Sequence, residues 1–256
     1  MDLKCLVTEQ KDKILLIKIN RPDALNALNT TSLSEIEHIF SASEKNNQVK
    51  GIIISGTGDK AFASGGDINE INRLTIDLAR KLSVAGNNLM KYIEQFKKPV
   101  IAAINGIAYG GGCELAMACH LRIASEDSNF ALPEANLGIS TGLGGLQRIV
   151  QLVGKGKAYE LAFLGEPIDA YEAKKIGLVN FVVPHEGLID RSMDLMKKIL
   201  EKSPVSIQAV IKSINAYYDN TDGFETEMTE FINCFRYEDY KEGIRAFTEK
   251  RKPDFK

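Results

Sequence analysis

The sequence predicts a mixed fold of the α/β or α+β class, and three observations carry that prediction. Short apolar runs bounded by glycine, proline or asparagine recur as "KILLIKI", "KGIIISG" and "PVIAAING", the pattern of buried strands. Between them lie stretches whose apolar residues repeat at helical spacing. Beyond about residue 186 only the helical period persists, which divides the chain into a strand-bearing region at 1–185 and a helical region at 186–256.

Each element has its own reason. "KILLIKI" (13–19) alternates apolar residues until Asn20 and Pro22 of "NRPDALN" break it. "TTSLSEIEHIFSASEKN" sets hydroxyl caps ahead of Glu35 and places Leu33, Ile36, Ile39 and Phe40 on one helical face. "KGIIISG" reads as a buried strand, and "GTGDKAFASGGD" as a glycine-rich turn. A long helix is expected from about Ile71 to Phe96, then the strand "PVIAAING". After "GIAYGGGCELAMAC" (106–119) follow "HLRIASE" as a strand with His120 at its edge, "FALPEANLG" as an irregular segment and "GGLQRIVQLVG" as a helix start. In the last region Ile189, Met193, Met196 and Leu200 share a helix face used for packing, and "SPVSIQAVIKSINAYY" opens a helix with Pro204 in its first turn.

Composition narrows the function classes. With 256 residues, 44% hydrophobic and 26% charged, the chain is long enough for a sizeable core. A net charge of -2 spread along the chain leaves no electrostatic footprint for nucleic acid or an anionic membrane. The N-terminal "MDLKCLVTEQKDKILLIKIN" interrupts its apolar residues with charges, unlike a signal or transit peptide, and no run reaches the length of a membrane span. Cys5, Cys113, Cys119 and Cys234 lack CxxC spacing and sit in apolar contexts, so buried, reduced thiols in a cytoplasmic protein are expected. His38, His120 and His185 are scattered, and no metal site is expected.

Chemistry is indicated where glycine and charge coincide. Gly65 and Gly66 lie in "FASGGD", Gly110 to Gly112 precede Glu114, and Glu134 follows twenty residues later in "PEANLG". Glycine leaves a backbone N–H open to a ligand, and a helix opening at Gly110 to Gly112 adds free N–H groups and a dipole. Two such donors aimed at one point form an oxyanion hole, and two carboxyl groups beside it supply a general acid and base. A glycine run is by itself more often a tight turn or cap, and a glutamate in a first turn usually complements the dipole. The joint pattern is what raises these residues above that reading. "GKGK" (154–157) lacks the flanking residues of a phosphate-binding loop.

Taken in order, "NRPDALNAL", "KAFASGGDINEI", "KPVIAAINGIAYGGGCELAMAC", "FALPEANLGISTGLGGLQRIV" and "AFTEKRKPDF" closely resemble the hallmark segments of the crotonase family, the enoyl-CoA hydratases and isomerases. The resemblance implies a spiral of β-β-α units, a helical C-terminal region for trimer assembly, and a homo-hexamer built as a dimer of trimers. It implies reversible syn hydration of trans-2-enoyl-CoA to 3-hydroxyacyl-CoA, with no cofactor besides the coenzyme A of the substrate. It puts the N–H groups of Gly66 and Gly111 on the thioester oxygen, makes Glu114 and Glu134 the catalytic pair, and sets the backbone of Gly142 beside the reacting atoms. Ala24, Ala63, Ser64, Gly65, Asp67, Ile68, Phe247 and Lys250 are implied as substrate and CoA contacts. Within this scheme the helix dipole is expected to lower the pKa of Glu114, making it the base towards water, and desolvation to raise that of Glu134, making it the proton donor to C2.

The chain also departs from the family pattern. Thr141 and Leu146 replace the usual Pro and Thr, His120 replaces a common Asp, and Asp23 and Asn69 stand where many relatives carry a lysine near the CoA phosphates. The two missing lysines imply either weaker CoA affinity or phosphate contacts shifted to Lys250, Arg251 or Lys252, unless "EKRKPDFK" is merely a solvated tail. The alternatives are a 3,2-trans-enoyl-CoA isomerase, which needs one base, another acyl-CoA lyase of the family, and an RNA-binding relative. The paired glutamates favour hydration, and the net acidic "SLSEIEHIFSASEKN" lacks the lysines an RNA site would want.

Overall fold

The computed structural model describes residues 2–217 and 222–255. Its elements in chain order are β1 (Leu6–Lys11), β2 (Ile14–Ile19), α1 (Thr30–Lys45), β3 (Gly51–Gly56), β4 (Ala61–Ala63), α2 (Ile68–Ile71), α3 (Ile76–Glu94), β5 (Val100–Ile104), β6 (Ile107–Tyr109), α4 (Gly111–Ala118), β7 (Leu121–Ser125) and β8 (Asn129–Ala131). Then come α5 (Gly145–Val153), α6 (Lys155–Leu164), β9 (Ile168–Asp169), α7 (Ala170–Lys175), β10 (Phe181–Val183), α8 (Leu188–Leu200), α9 (Pro204–Ala216), α10 (Gly223–Cys234) and α11 (Asp239–Thr248).

Two sheets are laid down together. One has the order β1-β2-β3-β5-β7-β10 and the other β4-β6-β8-β9. The successive pairs β3/β4, β5/β6 and β7/β8 each add one strand to either sheet, and helices follow each pair, so the chain winds as a spiral of β-β-α turns. Apart from the β1–β2 and β8–β9 pairs, the ladders are parallel.

Both faces of the central strands β3 and β5 are covered, which is why these strands read as continuous apolar runs rather than alternating ones. Ile52 and Ile54 of β3, with Val100, Ala102 and Ile104 of β5, turn into the main core with α1, α3 and α4. Ile53, Ile101, Ala103 and Ile123 turn the other way, against Leu188, Met193 and Met196 of α8. The first helix of the C-terminal region is thus the second cover of the sheet.

Several elements differ from their sequence expectation. The helix expected over 71–96 is α3, which starts later, at Ile76, because Thr75 caps it through Leu78 N donating to Thr75 Oγ1; the short α2 before it has its own cap, Asn69 N donating to Asp67 Oδ1. The cap of α1 is the side chain of Asn29, with Ser32 closing a reciprocal box, rather than a leading hydroxyl. Strand β1 was absent from the expectation because five of its six side chains are exposed; it is an edge strand held by its register with β2. "FALPEANLG" resolves into β8 and a 3-10 turn at Pro133–Leu137. Cys234 is half-buried, unlike the other three cysteines. His120 lies just before β7, accepting from Val100 N at Nδ1 and donating from Nε2 to Glu94 O; burial pushes its pKa down to about 4. Of the segments read above, Met1, Tyr218 and Lys256 lie outside the described residues. Among the described residues no helix is long and apolar enough to cross a membrane.

Candidate active site

A cavity of about 780 Å³ opens between the second sheet, α2, α3 and the 133–143 segment. It gathers residues that the spiral brings from three successive β-β-α turns. Gly66 comes from the loop after β4, Gly111 and Glu114 from the start of α4, Glu134 from the turn after β8, and Gly142 from the loop before α5.

The three consecutive glycines of the α4 start have three different reasons. Gly110 has φ +46° and ψ -122°, a backbone conformation open to glycine, and a β-carbon there would stand 2.8 Å from Glu134 Oε1. A β-carbon on Gly112 would lie 2.0 Å from the carbonyl oxygen of Ala63, so α4 packs backbone to backbone on β4. Gly111 meets no such obstacle: its β-carbon would rest 3.6 Å from Gly66 N in ordinary contact. The fold tolerates a side chain there, yet that side chain would stand over the Gly66 N–H.

The N–H groups of Gly66 and Gly111 donate to no acceptor among the described residues. Buried or half-buried backbone donors are rarely left unpaired, so two neighbouring ones facing a cavity mark a place for an acceptor atom. Gly111 is the first residue of α4, whose opening N–H groups have no partner inside the helix.

Glu114 is 2% exposed, and its Oε1 accepts from Leu143 N at 2.8 Å and Gly145 N at 2.7 Å. Burial pushes its pKa up to about 7, ahead of the lowering by those two N–H groups and by Arg148. This corrects the expectation of a dipole-lowered carboxyl. Desolvation acts on the whole charge, whereas the helix dipole offers a fraction of one. Glu134 also titrates above the ordinary carboxylate range through burial, as expected, and its Oε2 is buried without a hydrogen-bond partner among the described residues. Both carboxyls are raised, so the division of labour drawn from opposite shifts loses its premise.

Of the residues implied as substrate contacts, Ala24, Ser64, Gly65, Asp67 and Ile68 line the cavity. Ala63 lies beneath it in β4, fully buried. Phe247 is 86% exposed at the end of α11, and neither it nor Lys250 reaches the cavity within this chain. Arg251, the neighbour considered for phosphate, is engaged by Glu242 at 2.6 Å and Glu249 at 2.7 Å. Sequence reasoning left the register of the 70–96 segment open; the structure turns Ile76, Ala79, Leu82 and Ser83 of α3 towards the cavity. It also missed Arg21, whose guanidinium holds Asp67 at 2.7 Å, and Gly145. The "GLGG" run was the signal for the latter: its glycines let the backbone close on Glu114, since a β-carbon at Gly145 would come 2.7 Å from Glu114 Cγ.

Comparison with known proteins extends these observations. The family model described as enoyl-CoA hydratase/isomerase matches residues 9–256. The chain is 41% identical to the short-chain-enoyl-CoA hydratase of Clostridium acetobutylicum, covering 98% of this chain and 97% of that protein. It is also 41% identical to the crotonyl-CoA hydratase of Syntrophomonas wolfei, with 98% and 97% covered. The crystal structure of an enoyl-CoA hydratase from Bacillus anthracis superposes with a TM-score of 0.94 at 34% identity, over 99% of either chain. With the winding of two sheets, the motif order and the sequence agreeing along nearly the whole length, the chain belongs to the enoyl-CoA hydratase/isomerase family, of crotonase fold.

Proposed function

We infer that the protein is an enoyl-CoA hydratase, adding water reversibly and in syn fashion to a trans-2-enoyl-CoA to give the 3-hydroxyacyl-CoA. One observation carries the reading: two carboxyl groups with raised pKa and two acceptorless N–H groups meet in a single cavity. Its relatives carry names of the same activity.

In this reading the thioester oxygen sits on the N–H groups of Gly66 and Gly111. As water oxygen bonds to C3, the C2–C3 π electrons move towards the carbonyl and negative charge gathers on that oxygen. Donors already aimed there stabilise the transition state more than the ground state. One carboxylate takes the proton that water loses, and the neighbouring carboxylic acid gives a proton to C2. With both carboxyls raised by burial, one acts in its ionised form as the acceptor and the other in its protonated form as the donor. The chemistry calls for no cofactor beyond the coenzyme A of the substrate.

Short-chain substrates are proposed, in keeping with the names of the relatives. The chain is further proposed to form a homo-hexamer of two trimers in the cytoplasm. Phe224, Phe231, Phe235 and Phe247 on α10, its C-terminal end and α11 are 50–89% exposed, an apolar face that a partner copy would cover. The four free thiols fit a reducing compartment. Phe247 and Lys250 are proposed to meet CoA within that assembly.

The test is hydration of crotonyl-CoA and a series of longer trans-2-enoyl-CoAs, followed by loss of enoyl-thioester absorbance. Glu114→Gln and Glu134→Gln should each lower kcat roughly a hundredfold or more, as expected for a lost acid or base, while still binding the thioester. Near-normal turnover in either variant removes that residue from the mechanism. Isomerisation of 3-enoyl-CoA without hydration would put the isomerase reading in its place.

A further inference from the structure

The carboxyl of Glu114 is aimed by a loop, and the loop is gripped from behind by α3. Gly142 O accepts from Ser83 Oγ at 2.7 Å and from Asn87 Nδ2 at 2.8 Å, so both lone pairs of that carbonyl are engaged. The N–H on the other side of the same peptide unit is that of Leu143, and it donates to Glu114 Oε1 at 2.8 Å. A peptide unit is planar and trans, so its C=O and N–H point in opposite directions. Fixing the carbonyl against α3 therefore fixes the direction of the N–H towards the glutamate. Donors on the carbonyl also polarise the unit and strengthen its N–H as a donor.

The surroundings are shaped for this contact. Asn87 is itself steadied by its Nδ2 donating to Ser83 O one turn back, at 2.9 Å. Gly86 lies between the two gripping residues, where a β-carbon would fall 2.1 Å from Leu143 Cδ2; its absence lets the Leu143 side chain lie against α3. The neighbouring carbonyls of Leu143 and Gly144 are met by Arg148 Nη1 at 3.1 and 3.4 Å, and Arg148 is anchored on Glu94 of α3 at 2.9 Å.

We propose that Ser83 and Asn87 are positioning residues for the hydration step: by holding the Gly142 carbonyl they orient the 142–143 peptide so that its N–H holds and stabilises ionised Glu114. The inference rests on the hydratase reading of the same cavity. The charged and titratable groups that face Glu114 are Glu134 from the turn after β8, Arg148 from α5 and the buried thiol of Cys113 beside it on α4. Ser83 and Asn87 bear no charge, so they act on Glu114 through the peptide alone. Loss of the grip weakens an N–H that favours the carboxylate, and the pKa of Glu114 moves further up.

The test compares wild type with Ser83→Ala, Asn87→Leu, the double variant, and Ser83→Thr, which keeps the hydroxyl. With crotonyl-CoA, each single loss should lower kcat on the order of tenfold and the double variant further, with KM within about twofold. The limb of kcat/KM against pH that Glu114 governs should move upward by about half a unit or more, and Ser83→Thr should behave as wild type. A carboxyl-carbon NMR titration of Glu114, its signal assigned by its absence from Glu114→Gln, should show the same upward move. An unmoved limb with kcat near wild type, or an effect on KM alone, overturns the proposal and leaves α3 as a cavity wall. If the double variant unfolds, Ser83→Ala is the milder probe. If wild type hydrates no enoyl-CoA, the hydratase reading fails, and the NMR titration still decides whether Ser83 and Asn87 control Glu114.

Discussion

At the scale of single residues, burial outweighs the helix dipole at Glu114, and the consequence extends to stability. Its pKa in the folded protein is about 7, against an ordinary 4.5, so between those values the folded state binds more protons than the unfolded one. Stability therefore falls as pH rises from about 4.5 to 7 and stays lower above. Glu114→Gln, which removes the charge and keeps an acceptor for the Leu143 and Gly145 N–H groups, should raise stability at pH 8 by up to about 3 kcal/mol. At pH 4 the gain should nearly vanish. Denaturant midpoints at the two pH values check this; an equal effect at both would show that ionisation of Glu114 costs the fold nothing.

At the scale of elements, the opening of α4 separates a glycine kept for the fold from one proposed to serve the reaction. Gly112→Ala drives a β-carbon into the Ala63 carbonyl and should destabilise by several kcal/mol, on the order of other overpacked contacts. Gly111→Ala makes only ordinary contacts but covers the Gly66 N–H, so it should keep the melting temperature within a few degrees and lose hydration roughly a hundredfold or more. Thermal melts and crotonyl-CoA turnover of the two variants decide the matter. Full activity in Gly111→Ala would remove these N–H groups from the reaction.

At the scale of the whole molecule, α8 closes the sheet, whereas α10 and α11 present large apolar side chains that are left exposed among the described residues. Phe224 and Phe247 are 89% and 86% exposed, more than a lone soluble chain usually leaves in large aromatic residues. Light scattering should give a mass of three or six chains, and Phe231→Asp should shift it towards smaller species. A monomer at micromolar concentration in the wild type would overturn the proposed assembly.

Sequence alone determined the alternation of strands and helices, the helical C-terminal region, and the family through the order of its motifs. These are local properties: periodicity, breakers and glycine placement are written in neighbouring residues. The glycines and glutamates of the candidate site were legible for the same reason, since their types are unusual inside apolar runs. Tertiary structure decided the rest. The late start of the helix expected from Ile71 depends on the side-chain cap of Thr75, and the edge strand β1 on a partner rather than on its own pattern. The raised pKa of Glu114 needs the α5 loop and the surrounding core to exclude water, and the grip of Ser83 and Asn87 joins residues more than fifty positions from Gly142. Charge regulation and peptide orientation are set by what surrounds an atom in space, and the linear order of residues carries that information only after the chain has wound its spiral.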